Sequence, residues 1–204
     1  MTERQERPAG PADTAAQILD VAEAFVQVHG FNGFSYADVA ARLQITKASI
    51  HYHFASKADL GQALIARYSI RFAAALVAID APDVAAPAKL MAYGRLYLEV
   101  LRNERMCLCG MLAAESATLP AQMQASIVDY FVDNESWLAR TLAQGRDEGS
   151  LDFAGGPSEV ARSIVSSLEG AMLMARLFDD VAGFEATARR VLDGVARASN
   201  RQDA

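Results

Sequence analysis

The sequence is poor in several of the residues and patterns that announce a function. Its 204 residues hold two cysteines, six prolines, one tryptophan and three histidines. The cysteines, Cys107 and Cys109, stand one residue apart. No disulfide framework can be built from them, which fits a reducing compartment. No uninterrupted apolar run approaches the roughly 18–20 residues that span a bilayer. No secretory leader is visible: residues 1–13 are polar, carry Pro8, Gly10 and Pro11, and read as a disordered arm. These absences predict a soluble, cytoplasmic chain with no membrane partner. Gly-rich phosphate loops and dinucleotide-binding patterns are missing too. His29, His51 and His53 are remote in sequence from both cysteines, so the spacing lays out neither a Cys–His nucleophile pair nor a mixed Cys/His metal site. No metal or cofactor is expected. A strong positive charge is also absent. The formal net charge is −6, which argues against a protein that coats nucleic acid and leaves only a local basic face to be sought.

What is present is helical periodicity. Apolar residues make up 52% of the chain, and they recur near every 3.6 residues rather than every two. Ile18, Val21, Ala22, Phe25 and Val28 form one such stripe, closed by Gly30 and the Asn32-Gly33 turn. Ser35 with Asp38 makes an S-x-x-D cap for a short helix carrying Val39, Ala40 and Leu43. Gln44-Ile45 is a tight connection. Thr46 caps a second short helix ending near His53. Ser56 with Asp59 repeats the cap and opens a long helix over 57–79. Pro82 and Pro87 mark a linker over 80–87. Further helices are predicted near 88–103, 107–116, 121–147, 158–180 and 184–199. With no alternating strand pattern, the fold class is all-α with about nine helices.

Two short helices across a tight turn, flanked by a supporting helix and a long one, form a helix-turn-helix arrangement. Its second helix would enter the major groove. Between Arg42 and Lys57 there are three basic residues and no Asp or Glu, a positive window in an acidic chain. Thr46, Ser49, His51 and Tyr52 can donate to phosphates or bases. Lys57 stands in the first turn of the next helix, where its charge adds to the positive end of the helix dipole. Capped short helices also occur in helical proteins that never meet DNA, so a helical protein-interaction module and a thiol-dependent enzyme are the alternatives to DNA binding.

Residues 14–60 resemble the DNA-binding domain of the TetR family of bacterial regulators. The resemblance lies in FNGF (Phe31 to Phe34), in SYADVA from Ser35, and in ITKASIHYHFASKADL from Ile45 to Leu60. It implies a three-helix head over 14–60 and a larger ligand-sensing and dimerisation domain over 61–204. It places Thr46, Lys47, Ser49, Tyr52 and His53 on the recognition helix, Ser35 and Tyr36 near the DNA backbone, and Lys57 as a phosphate anchor. Ile50, Phe54, Val39, Leu43 and Ile45 should be core. Two departures matter. His51 stands where most members carry Tyr. Residues 1–60 hold five Lys or Arg against seven Asp or Glu, so few phosphate contacts per subunit and a modest salt slope are expected. The resemblance further implies a transcriptional repressor that binds a palindromic operator in double-stranded DNA. It would act as a homodimer through helices near 158–180 and 184–199, released by a small inducer.

In the body, Tyr68, Phe72, Tyr93, Tyr97, Met111, Phe131 and Trp137 are candidate pocket residues, each more readily read as plain core. The carboxylates look scattered over polar helix faces. The stretch from Met106 to Met123, followed by Gln144 to Pro157, resembles the body of electrophile-responsive repressors of the N-ethylmaleimide type. That resemblance places a sensing cysteine at Cys107 and none at Cys109. A helix start at Cys107, with Arg102 and Arg105 nearby, predicts a lowered thiol pKa. The bland alternative is that both cysteines are small buried hydrophobes. The inducer is then a small electrophilic or hydrophobic molecule, and the long helix from Lys57 is the expected lever between head and body.

Overall fold

A computed structural model describes residues 11–81 and 83–196. Among the described residues the chain forms nine α-helices, one 3-10 turn and a single isolated bridge between Leu151 and Ala196. The helices are α1 (Pro11–His29), α2 (Tyr36–Leu43), α3 (Lys47–His53), α4 (Lys57–Ile79), α5 (Ala86–Arg102), α6 (Leu108–Ala114), α7 (Ala121–Asp147), α8 (Pro157–Phe178) and α9 (Val181–Asp193). The all-α expectation holds, and the boundaries of α1, α5 and α9 move most. α1 begins at Pro11, so the expected arm over 1–13 is too long; a proline is tolerated in a first turn whose N–H groups have no helical partner. Residues 1–10 lie outside the described residues. α5 begins at Ala86, because Pro87 sits in its first turn rather than breaking it. α9 ends at Asp193 rather than 199: the Asp152 amide donates to the Val195 carbonyl at 3.0 Å and draws the chain away from the helix axis. Residues 197–199 lie outside the described residues.

α1, α2 and α3 pack around Ile18, Ala22, Val26, Val39 and Ile50, all fully buried. In the body, α5 and α7 lie against α4, α8 packs on α7, and α9 closes over α5 and α8. Leu90, Tyr93, Leu138, Leu142, Leu168 and Phe184 form its centre. Burying each such side chain contributes about 1.5–3 kcal/mol. By length and composition α4 passes for a membrane span, a property that the search for an unbroken apolar run missed. Its Leu60, Leu64, Ile65, Tyr68 and Leu76 are buried within the fold.

Head and body are joined in two places. α4 runs from one to the other and is tied to α1 by Arg67, which pairs with Asp20 at 2.7 Å and Glu23 at 2.8 Å. α6 makes the second joint. The Met106 amide donates to the Gln27 carbonyl at 3.1 Å. Beyond the other end of α6, Glu115 Oε2 accepts from the amides of Phe31 at 2.7 Å and Asn32 at 3.2 Å. Asn32 Nδ2 donates to Thr118 Oγ1 at 2.8 Å. α4 is therefore not the sole lever between the two parts.

Candidate nucleic-acid interface and buried sensor cluster

The head is assembled from local caps. Ser35 accepts from the Ala37 amide at 3.2 Å, and Asp38 Oδ2 accepts from the Ser35 amide at 2.7 Å. Thr46 Oγ1 accepts from the Ser49 amide at 3.1 Å. Ser56 and Asp59 close the same box at the start of α4. Between α2 and α3, Gln44 adopts φ +56°, the left-handed conformation that turns the chain sharply. Caps at fixed offsets thus fix where α2, α3 and α4 begin.

α3 buries Ile50 alone. Thr46, Lys47, His51 and Tyr52 are exposed, Tyr52 at 79%, and Ser49 and His53 are half-buried. His51 Nδ1 lies 3.2 Å from the Ala55 carbonyl. A carbonyl only accepts, so Nδ1 is the donor in this contact. Ser35 is exposed at the rim.

Two residues depart from the roles implied by resemblance. Tyr36 is buried: its hydroxyl donates to the Phe54 carbonyl at 3.0 Å and its ring meets His51 edge-on at 4.8 Å. Burial, reinforced by Asp59, pushes its phenol up to about 12. It orients α2 against the end of α3 rather than offering a hydroxyl to DNA. Lys57 turns inward. Its ammonium donates to the carbonyls of Phe31 and Phe34, each at 2.5 Å. It also lies over both rings, 4.7 and 4.3 Å from their centroids. Desolvation lowers its pKa, against the pull of Glu115 and Asp38. A lysine held this way clasps the α1–α2 turn and is not free to anchor a phosphate.

The second constellation is in the body. Cys107 caps α6, with its sulfur 3.4 Å from the Gly110 amide. The Tyr68 hydroxyl donates to that sulfur at 3.7 Å, and the Tyr130 hydroxyl lies 3.9 Å away. Tyr93 and Tyr97 hydroxyls pair at 3.0 Å. Phe72 stands among them, 5.4 Å from Tyr130 and 6.1 Å from Tyr93, and Trp137 stacks on Tyr93 at 5.8 Å. Rings from α4, α5 and α7 thus enclose one thiol at the head of α6. Cys109 is buried beside it.

The expected lowering of the Cys107 pKa does not occur. The residue does begin a helix, and the Gly110 amide does favour the thiolate, but burial, Glu169 and Cys109 outweigh it and push the thiol well up. The four phenols are pushed up by the same burial. Glu169, on α8, is pushed up to about 7 by burial, partly offset by a hydrogen bond with Cys107.

The family model for bacterial regulatory proteins of the tetR family matches residues 18–64. That for the tetracyclin repressor-like C-terminal domain matches residues 86–191, more than half of the chain. The chain belongs to the TetR family. The transcriptional regulator AcuR of Cereibacter sphaeroides is 28% identical to this family member over 184 residues, 85% of this chain and 83% of that one. The transcriptional repressor NemR of Escherichia coli K12 is 23% identical over 169 residues, 81% of this chain and 85% of that one. A TetR family regulator from Agrobacterium tumefaciens superposes with a TM-score of 0.88 at 30% identity, covering 92% of this chain and all of the other. The reduced form of E. coli NemR superposes at 0.81 and 22% identity, over 92% of this chain and all of that one, which is a likeness of fold.

As a TetR-family transcription regulator, the chain carries its DNA-binding helix-turn-helix in α2 and α3. Of the body candidates, Tyr68 meets Cys107 directly, and Phe72, Tyr93, Tyr97 and Trp137 form a ring cluster continuous with it. Met111 is half-buried on α6, and Phe131 lines a surface groove with Val128 and Val132. Tyr130, Asn134 and Glu169 were missed. The signal for Glu169 was available: it stands four residues after Val165 and three before Met172, both buried, so it interrupts an apolar stripe rather than belonging to a polar face. Tyr130, Asn134 and Trp137 repeat that spacing on α7. Three atoms of this region, Glu169 Oε1, Asn134 Oδ1 and Trp137 Nε1, are buried without a hydrogen-bond partner.

Proposed function

We propose that this TetR-family regulator is a cytoplasmic repressor that binds a near-palindromic operator as a homodimer. A small electrophilic or hydrophobic inducer reaching Cys107 releases it. α3 is the element that enters the major groove, with Lys47, Tyr52, His51, Thr46, Ser49 and His53 as the contacting side chains and Ser35 at the rim. A two-fold dimer presents two such helices, hence the palindrome. Support for the dimer comes from α8. Leu173, Met174, Leu177 and Phe178 are exposed there at 51–71%, and Gly170 and Ala171 beside them allow close approach of a partner helix.

One observation carries the sensing half of the reading. Cys107 stands at one end of α6, and the hydrogen bonds of Glu115 and Thr118 to the head stand just beyond the other. Whatever displaces the start of α6 acts on the α1–α2 turn. To reduce operator affinity 100-fold, the inducer must favour the released state by roughly 2.7 kcal/mol. In NemR's favour as a guide stands its name as a repressor; AcuR is named a regulator without a sign.

A non-covalent inducer is the second reading. The partnerless Trp137 Nε1 and Asn134 Oδ1 favour it, since a bound polar molecule would satisfy both. Selection of operators from random duplex DNA, repeated after brief treatment with a thiol-reactive electrophile, separates the two. The expected result is an enriched palindrome that is lost on treatment and retained in Cys107→Ser. A palindrome insensitive to treatment turns the reading to the non-covalent ligand, and loss that persists in Cys107→Ser points to Cys109 or to a pocket ligand. The absence of any enriched sequence would bring forward the helical interaction module.

A further inference from the structure

Glu169 reaches from α8 across to the start of α6. Its Oε2 lies 2.2 Å from the point where a side chain on Gly110 would place its Cβ, and the Cys107 Cβ lies 3.4 Å from the same point. Only a residue without a Cβ at 110 lets the carboxyl group lie there. The carboxyl and Cys107 thus meet at the same face of Gly110, and the Glu169 Oε1 is buried with no partner. The charged or titratable groups that bear on Cys107 are Glu169 and Cys109, both acids. Facing the pair from α4, α5 and α7 are the phenols of Tyr68, Tyr93, Tyr97 and Tyr130, all pushed up and therefore neutral donors, with Glu135 bearing on Tyr93. Without a cation to stabilise a thiolate, the sulfur must lose its proton to a base as it reacts.

We propose that Glu169 is the proton acceptor that makes Cys107 reactive toward small electrophiles, a role that rests on the covalent reading above. With an alkene conjugated to a carbonyl, the Glu169 carboxylate takes the thiol proton as the sulfur forms a bond to the β-carbon. The π pair moves onto the carbonyl as an enolate. The enolate then takes the proton back from the Glu169 carboxyl at its α-carbon. The product is a thioether in which S–H has added across C=C, and the carboxylate is regenerated. No oxidant or reductant is consumed. The carboxyl sits near pH 7 through burial, so it is poised to act as a base at neutral pH.

The test is the rate at which N-ethylmaleimide alkylates the full chain, followed by mass mapping of the adduct on Cys107 from pH 5.5 to 9. Wild type is expected to show a rate that rises with an inflection near 7. Glu169→Gln is expected to react about 100-fold more slowly at neutral pH and to lose that inflection. A purely electrostatic role predicts the opposite sign, because removing a negative neighbour lowers the thiol pKa and speeds alkylation. Gly110→Ala provides a second variant: it keeps the carboxyl but pushes it away from Cys107, and should slow the reaction too. A Glu169→Gln rate equal to or above wild type overturns the role of Glu169 alone. A folded wild type that forms no adduct at Cys107 overturns the covalent reading and the role of Glu169 together.

Discussion

α3 and α6 are both seven-residue helices that begin with a side chain accepting a backbone amide, Thr46 in one and Cys107 in the other. Their surroundings are opposite. α3 buries one residue, Ile50, and turns its polar face outward. α6 buries Leu108, Cys109 and Leu112 and has its cap enclosed by phenols. Length and capping are therefore not what separates the exposed helix from the enclosed one. The difference is which neighbours cover it. α3 has its supports on one side only, so its angle is set by local caps. α6 is held by α1, α4 and α7, so its position reports on all of them.

The largest effect that would sharpen this contrast is truncation of each helix's most characteristic side chain. Leu112→Ala should cost about 2–5 kcal/mol in urea unfolding, because the residue is fully buried. Tyr52→Ala should cost less than about 0.5 kcal/mol while weakening operator binding in a fluorescence titration. A large loss of stability at Tyr52 would break the contrast.

Next comes the pH dependence of stability. Glu169 has its pKa raised on folding to about 7, so the folded state holds a proton that the unfolded chain releases at lower pH. Stability from this group is present below the ordinary carboxylate range and is lost as pH rises toward 7. Glu169→Gln should therefore be more stable than wild type by up to about 3 kcal/mol at pH 8 and nearly equal to it at pH 4.5, as read by chemical denaturation. A gap that does not change with pH would remove the buried carboxyl from this account.

A smaller effect distinguishes the two lysines of the head. Lys57→Ala should lower stability by about 1–2 kcal/mol, through loss of two carbonyl contacts and two ring contacts, and leave the salt slope of operator binding unchanged. Lys47→Ala should leave stability unchanged and reduce that slope by about 0.9. The reverse pattern would restore Lys57 as a phosphate anchor. Thr46→Ala should cost about 1 kcal/mol in urea unfolding by removing the α3 cap.

These expectations follow how much of the molecule the sequence displayed. The head was legible because its signals are local: Ser35 with Asp38, Ser56 with Asp59 and Thr46 each act within three or four residues. The turns of α5 and α9 were placed less well, because Pro87 is as compatible with a first turn as with a break, and the Leu151–Ala196 bridge is a long-range event. The cluster around Cys107 was half legible. Large aromatics drew attention to Tyr68, Tyr93 and Trp137, but their meeting with Tyr130 and Glu169 depends on the crossing of four helices. The direction of the Cys107 shift failed for the same reason. The helix start was readable, whereas the burial that outweighs it was not.

The turn from Phe31 to Phe34 is gripped from two sides, by Lys57 on its carbonyls and by Glu115 on its amides. Anyone grafting this head onto another regulator's body would meet that fact at once. A cut after residue 60 carries Lys57 along but strands two amides and Asn32 without their acceptors. A transplantable head is therefore discontinuous in sequence, residues 11–60 together with a body whose segment equivalent to 115–118 supplies a carboxylate and a hydroxyl at the same place.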